Sequence, residues 1–517
     1  MKESAIACIL LALLIFCGIF IRVDAATETM WLDECHTAWA VDAETSAEVA
    51  SRAADGNQPP LYFWLVWFTT NGLGLSEFSL RIVSLIAGAG LLAVAPLWAK
   101  SLTDRWSAAV LVATLIAFDG QFIYYASEAR SYALVQFIGL LQAIFFWRCL
   151  ALEETEGSQP KTGFLNIAAW TLLSIALPLL HYTSVWILIS EGALLLIVSL
   201  MRRKFPLQFL IAGFVIVAAI ISRWENVSMI FNRRGNWDAV SSIDQLWIDV
   251  EPWLVHWMLI PIGIALVMWL LNMIQTPGQK ESAEKSNSWV LWLWIGLWAI
   301  IGPAGIAIAD ACNVAPMALV RYSIVCWVAL ALFAALCLRL FSPSVSWLVA
   351  AVILGSSFFG NWWVAEFVET GRLPIFRTED WVTTARQLAE SDSTEPIFQL
   401  GDVLEDVDAL TEQDERFQKY LLFPILGADA VRGGKRLEET HDISAASTWN
   451  YLVGRTQCRS VHEHKGCWLI VRSDLDYALI IPQELEDQTG ADIEFKFLTN
   501  DRMPNSRVHL IRVRVKE

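Results

Sequence analysis

Two adjacent carboxylates, Asp33 and Glu34, follow the first long apolar run in the stretch Met30-Trp31-Leu32-Asp33-Glu34-Cys35-His36. A carboxylate near a membrane interface can act as general base on an acceptor hydroxyl, while its neighbour can hold a divalent metal or orient the acceptor. Adjacent acids are also common in solvated loops. His36 could join a metal site with Glu34, but reads more simply as a solvated histidine.

A second set lies at 119–131, where Glu128 and Arg130 stand two apart, just before an apolar run that opens with Tyr132. Ionisable groups at the edge of a membrane helix mark a site or an anchor. Arg130 could hold a lipid-linked phosphate through charge-assisted, bidentate hydrogen bonds, or it could snorkel to the headgroups. His181 and Tyr182 follow Leu-Pro-Leu-Leu at the end of another apolar run, and Arg321-Tyr322 open a further one, with Asp310 a short loop earlier.

The elements that must position these groups are membrane helices. Of 517 residues 56% are hydrophobic and only 17% charged, and the apolar ones gather in runs long enough to cross a ~30 Å hydrocarbon core. The run Ala5–Ile21 lacks a small-x-small cleavage site and reads as a retained first helix. Later runs fit at 78–99, 106–118, 132–150, 163–179, 183–201, 206–223, 252–272, 289–309, 317–339 and 345–366, about eleven spans in all. Pro59 to Trp67 is too short to cross and reads as an interfacial or half-inserted helix. The 26 tryptophans read by default as lipid anchors at helix ends.

Lys100, Arg105, Arg148, Lys161, Arg202, Arg203, Lys204, Lys280, Lys285 and Arg339 all fall on one side of this map, which the positive-inside rule makes cytoplasmic. On the other side lie the acidic loop 22–58, the turn 119–131, His181, the loop 224–251, the turn 310–321 and everything beyond residue 370. Asp33, Glu34, Glu128, Arg130, His181, Asp310 and Arg321 therefore share one face, and a cavity opening outward would collect them.

Beyond Gly371 charge density rises and β-rich stretches such as Cys467–Arg472 appear. The expected fold is an all-α polytopic membrane domain, 1–370, followed by a small soluble α/β domain, 371–517, with the N-terminus cytoplasmic and the C-terminal domain extracytoplasmic. The net charge of −16 sits in the outer loop and that domain and speaks of topology and solubility; nothing reads as a nucleic-acid partner. Most of the nine cysteines sit inside apolar segments. Cys458 and Cys467 could close a short loop around His462 and His464, which read as solvated rather than as metal ligands.

There is no Walker A loop, no Gly-rich dinucleotide fingerprint and no cytoplasmic domain to bind a nucleotide sugar. An activated substrate used on the outer face must arrive on another carrier, and a lipid is the natural one.

At these residues the chain resembles the GT-C group of bacterial membrane glycosyltransferases related to dolichyl-phosphate-mannose protein mannosyltransferases and lipid A aminoarabinose transferases. The resemblance rests on Trp31-Leu32-Asp33-Glu34, Gln58-Pro59-Pro60-Leu61-Tyr62, Ser79-Leu80-Arg81-Ile82-Val83-Ser84, the stretch Tyr124 to Tyr132, His181-Tyr182, Arg321-Tyr322 and Glu379-Asp380-Trp381, in that order. It implies a cell (inner) membrane enzyme that transfers one sugar, with inversion, from a polyprenyl phosphate to a glycan, lipid or protein acceptor. It makes Asp33 the general base and Glu34 its supporting acid or a metal ligand. Arg130, with Arg321, becomes the holder of the donor phosphate, and Glu128, Tyr132, His181 and Tyr182 are supporting or substrate-binding groups. Gln58 stands where many relatives carry histidine. Whether a divalent metal joins the lipid-linked sugar stays open.

The alternative is a polytopic transporter or lipid flippase without glycosyl transfer. It requires charges near the bilayer midplane and repeated halves; the nearest case in the sequence is Arg81, toward the outer end of its span.

Overall fold

The computed structural model describes residues 2–152, 160–203, 207–221, 228, 243–275, 288–312, 319–359, 361–371, 377–391, 395–400, 415–427, 443–446, 466–473, 475–489, 492–498 and 506–516. Cys458, His462 and His464 lie outside them.

Apolar runs become helices because hydrocarbon offers the backbone no partner other than itself. Eight helices among the described residues are long and apolar enough to span, or up to ten if two bent pairs each count as one. They include α1 (Lys2–Ala25), α5 (Glu77–Thr103), α8 (Tyr132–Leu152), α9 (Pro160–Leu180) and α10 (Val185–Arg202). The eight spans, the two bent pairs and the short apolar helix Leu207–Ile221 account for the eleven apolar runs read from the sequence. Among the described residues Leu207–Ile221 is apolar over 15 residues, and the run at 345–366 divides into Pro343–Phe358 and Trp363–Thr370, bent by 82°.

The other bend, 65° between α6 (Trp106–Phe118) and α7 (Gly120–Ala126), comes from Asp119. Its Oδ1 accepts from the amides of Gln121 and Phe122 and so starts a new helix there. The first outer segment forms three short helices: α2 (Leu32–Val41), α3 (Ser46–Asp55) and the aromatic α4 (Pro60–Leu73), which has proline in its first turn. The span Val320–Leu340 runs through the centre, with 89% of its apolar window buried against 22% for α1.

The C-terminal part holds a five-stranded mixed sheet ordered β2-β1-β3-β5-β4. These are β1 (Ile397–Leu400), β2 (Ile443–Ala446), β3 (Gly466–Arg472), β4 (Ile493–Leu498) and β5 (Val508–Val515). Strand β1 runs parallel to β2 and β3, whereas β3 and β4 pair antiparallel with β5. Strand β3 is buried on both faces. Cys467, Leu469 and Val471 pack on Ala478, Ile481 and Leu485 of the helix Leu475–Thr489. Trp468 and Ile470 belong to the core shared with Trp381, Leu388 and Tyr420, and through them with the membrane part. That shared core seats the C-terminal part on α2: the Tyr420 ring lies 5.1 Å from both His36 and Trp39.

Candidate active site

Asp33 and Glu34 are consecutive in the first turn of α2, so their side chains leave the helix about 100° apart and meet different surroundings. Glu34 points inward and is fully buried. Arg81 grips it with two hydrogen bonds, Nε to Oε1 and Nη2 to Oε2, both 2.7 Å. Arg377 Nε reaches Oε2 at 3.0 Å, and the Ala129 amide donates to Oε1 at 2.7 Å. Burial would raise its pKa, yet the two guanidiniums beside it hold the carboxyl down at about 2.

Asp33 points away from that buried cluster and stays partly exposed. Its Oδ2 lies 3.3 Å from Arg321 Nη1 and 3.6 Å from Arg130 Nη2, and Arg130 Nη1 also donates to the Asp33 carbonyl at 3.2 Å. Burial pushes this carboxyl up, but Arg130, Arg321 and Arg472 pull harder, and the net shift is downward. The side chain stays 28% exposed, so substrate can reach it.

The turn after α7 is stitched to both neighbours. Thr37 Oγ1 donates to the Ala129 carbonyl at 2.8 Å and Ser84 Oγ to the Arg130 carbonyl at 2.9 Å, with Tyr62 OH 3.0 Å behind Ser84. Glu128 is buried, and its Oε2 accepts from Trp31 Nε1 at 3.1 Å. Burial, then the charge of Glu34, pushes its carboxyl up to about 8.

A row of rings continues from here: Tyr125 to Tyr132 at 4.8 Å, Tyr132 to His181 at 5.3 Å, His181 to Tyr322 at 6.1 Å. His181 Nδ1 sits 2.8 Å from Thr183 Oγ1; burial and the nearby Arg130 and Arg321 push the ring down to about 3, so it is neutral. Tyr182 lies in the 3-10 turn Tyr182–Ser184 and is half-buried, and Asp310 is half-buried in the last turn of the helix Ser288–Ala311.

The structure corrects three readings. His36 is not solvated: it is 3% exposed, its Nε2 lies 3.2 Å from the Arg52 carbonyl, and its ring fills the space over Gly56. Glu34 does not fit a divalent cation, because its oxygens are spent on two guanidiniums and an amide, and Asp33 beside it faces two more guanidiniums. Among the described residues no group of three or more His, Cys, Asp or Glu side chains could hold a metal ion. A carboxylate does lie deep within a span: Glu191 of α10 is buried, with its Oε2 accepting from Gln142 Nε2 at 2.8 Å and Trp170 Nε1 at 3.0 Å. Its signal, a single acid in the apolar run 185–198, is legible in the sequence.

Arg377 and Arg472 do not stand out in the sequence, and Glu379 is not read there as part of the site; all three lie beyond residue 370 and close on the acidic pair or its helix. Arg377 bridges Glu34, the Ala25 carbonyl at 2.9 Å and the Ser127 carbonyl at 2.8 Å, with its guanidinium 5.4 Å from the Tyr124 ring centre. Glu379 Oε1 holds Arg472 Nε at 2.7 Å. The Glu379-Asp380-Trp381 stretch stood out in the sequence, but nothing local told that it reaches back to α2.

Neither a family model nor a curated protein matches the chain. Among solved structures it is similar to ArnT from Cupriavidus metallidurans bound to undecaprenyl phosphate, at 11% identity and a TM-score of 0.40, covering 100% of this chain and 98% of that one. The apo state of the same protein gives 11% and 0.42 over 99% and 98%. The Archaeoglobus fulgidus oligosaccharyltransferase in complex with Zn and sulfate gives 11% and 0.44 over 95% of this chain and 72% of that one. With every one of these TM-scores below 0.5, the chain's function is argued from its own residues.

Proposed function

We propose that the protein is a membrane glycosyltransferase of GT-C type. It moves a single sugar from a polyprenyl-phosphate carrier to a glycan, lipid or protein acceptor on the outer face of the cell (inner) membrane. The observation that carries this reading is the triad Arg130, Asp33, Arg321: one reachable carboxylate between two guanidiniums. A base with phosphate-binding groups at its side is the set that a glycosyl phosphate donor requires.

The triad also suggests how the base is timed. At rest the guanidiniums keep Asp33 ionised but weakly basic. A donor phosphate that draws Arg130 and Arg321 to itself restores the basicity of Asp33 as the substrate arrives. Asp33 then takes the proton of the acceptor hydroxyl, the acceptor oxygen bonds to the anomeric carbon, and the bond from that carbon to the phosphate oxygen breaks. The carbon is inverted, and the leaving phosphate settles against the two arginines. Its departure needs no strong general acid. Glu128, Tyr132, His181 and Tyr182 take supporting roles around this centre.

In this reading residues 1–370 form the transferase body and 371–517 an outer domain, with the N-terminus cytoplasmic. The test is sugar transfer from a labelled polyprenyl-phosphate sugar by membranes carrying wild type or Asp33→Asn. A loss of about a hundredfold is the size expected for removing a general base; full activity in the variant removes Asp33 from that role.

Glu191, a carboxylate inside the membrane body, favours a second reading, a transporter or lipid flippase. Absence of transfer with every donor, together with lipid movement that Glu191→Ala abolishes, would decide for it.

A further inference from the structure

Helix α2 begins without a cap of its own, because Trp31 at its N-cap position offers no side-chain acceptor. The acceptor comes from 347 residues away: Glu379 Oε2 takes the Leu32 amide at 2.9 Å. The same oxygen holds Trp381 Nε1 at 2.8 Å, and Thr29 Oγ1 donates to the Glu379 carbonyl at 2.5 Å. Two residues earlier, Arg377 fixes Glu34. Asp33 therefore stands between a residue capped by Glu379 and a residue clamped by Arg377, both from the segment that leads into the sheet domain. The other oxygen of Glu379 holds Arg472, whose positive charge bears on Asp33 from the end of β3.

We propose that Glu379, supported by Arg377, is a positioning residue for Asp33, so that the outer domain is part of the catalytic unit and sets where its base points. This rests on the transferase reading. A merely structural tie between domains would lower the yield of folded protein and leave each folded molecule with normal turnover and an unchanged pH profile. A positioning role moves both, because the first turn of α2 shifts and the negative charge that faces Arg472 beside Asp33 changes.

The experiment uses the full-length protein in lipid nanodiscs, as wild type, Asp33→Asn, Glu379→Ala and Glu379→Gln. Turnover is measured per folded molecule with a labelled polyprenyl-phosphate sugar, and amide exchange is followed over residues 32–36. Glu379→Ala should lower kcat at least ~tenfold, the scale of a small misplacement of a catalytic group, with donor KM nearly unchanged. Glu379→Gln keeps an acceptor for the Leu32 amide and should recover part of that loss. Because it removes the negative charge that faces Arg472 near Asp33, the acid limb of its pH profile should move to lower pH. Exchange at 32–36 should quicken in Glu379→Ala.

Wild-type kcat and exchange in folded Glu379→Ala would overturn the proposal. If that variant does not fold, an unmoved acid limb in Glu379→Gln does the same. If wild type transfers no sugar, or Asp33→Asn is fully active, the transferase reading falls by itself. Amide exchange then still decides whether Glu379 orders the turn that carries Asp33.

Discussion

Trp31 and Glu128 share a single hydrogen bond, Nε1 to Oε2 at 3.1 Å, and the carboxylate's other oxygen is buried with no partner among the described residues. Burial and the charge of Glu34 raise this carboxyl from the ordinary 4.5 to about 8. A carboxyl that binds its proton more tightly in the folded state contributes stability that is complete below the unfolded value and is lost as pH rises through the folded one. The melting temperature of the purified protein should therefore fall as pH rises from 4.5 to about 8. Glu128→Gln, which keeps the neutral form at every pH, should give a flatter curve. Parallel curves for the two proteins would remove Glu128 as the titrating group.

Glu34 behaves in the opposite sense. Held at about 2, it adds stability that is present above 4.5 and disappears as pH falls toward 2. Leaving Arg81 and Arg377 buried without their partner costs on the order of 3–5 kcal/mol. Glu34→Gln should thus reduce the yield of monodisperse protein on size exclusion, while Asp33→Asn, at an exposed edge, folds normally and loses activity. Equal yields for the two variants would contradict the division of labour between these neighbours.

Metal removal gives a third measurement. Four guanidiniums, of Arg81, Arg130, Arg321 and Arg377, surround the two acids, and a dication would enter a field already positive. Transfer should stay within about twofold after exhaustive EDTA treatment, a change too small to mean loss of a catalytic Lewis acid. Abolition by EDTA with restoration by a divalent cation would place a metal in the pocket.

Glu191 and Gln142 each keep one buried oxygen without a partner among the described residues, while Gln142 Nε2 donates to the other oxygen of Glu191. Glutamine at 191 keeps an oxygen that can accept from both Gln142 and Trp170. Glu191→Gln should retain the melting temperature of wild type, whereas Glu191→Ala, which strands Gln142 and Trp170 in the membrane interior, should lower it by several degrees. A large loss in Glu191→Gln would give the carboxyl a role beyond tying α8, α9 and α10 together.

The sequence carries the membrane body and the sheet domain clearly, because apolar runs and the β-rich stretch at Cys467–Arg472 are local patterns. It also carries the shared face of Asp33, Arg130 and Arg321, since loop charges fix which side each turn lies on. What it does not carry is partnership at long range. Glu34 looks like a ligand until Arg81 and Arg377 are seen to close on it from 47 and 343 residues away. His36 looks solvated until Phe63, Trp39 and Tyr420 enclose it. Helix breaks at Asp119 and after Phe358 leave hydropathy almost unchanged, so the bends within those two runs are not legible in the sequence.

The clamp also sets a clock on biosynthesis. Arg377 reaches the Ala25 carbonyl across 352 residues, a stretch that takes roughly 20 to 70 seconds to synthesise at ordinary rates. Through that interval Glu34 has Arg81 and the Ala129 amide but not Arg377, and the Leu32 amide lacks its Glu379 acceptor. A nascent or prematurely ended chain thus holds every residue of the triad once Arg321 is made, but not the segment that orders it. The first turn of α2 gains the acceptor for its Leu32 amide only when residue 379 docks, so this contact forms last and closes the acidic pair into its final surroundings.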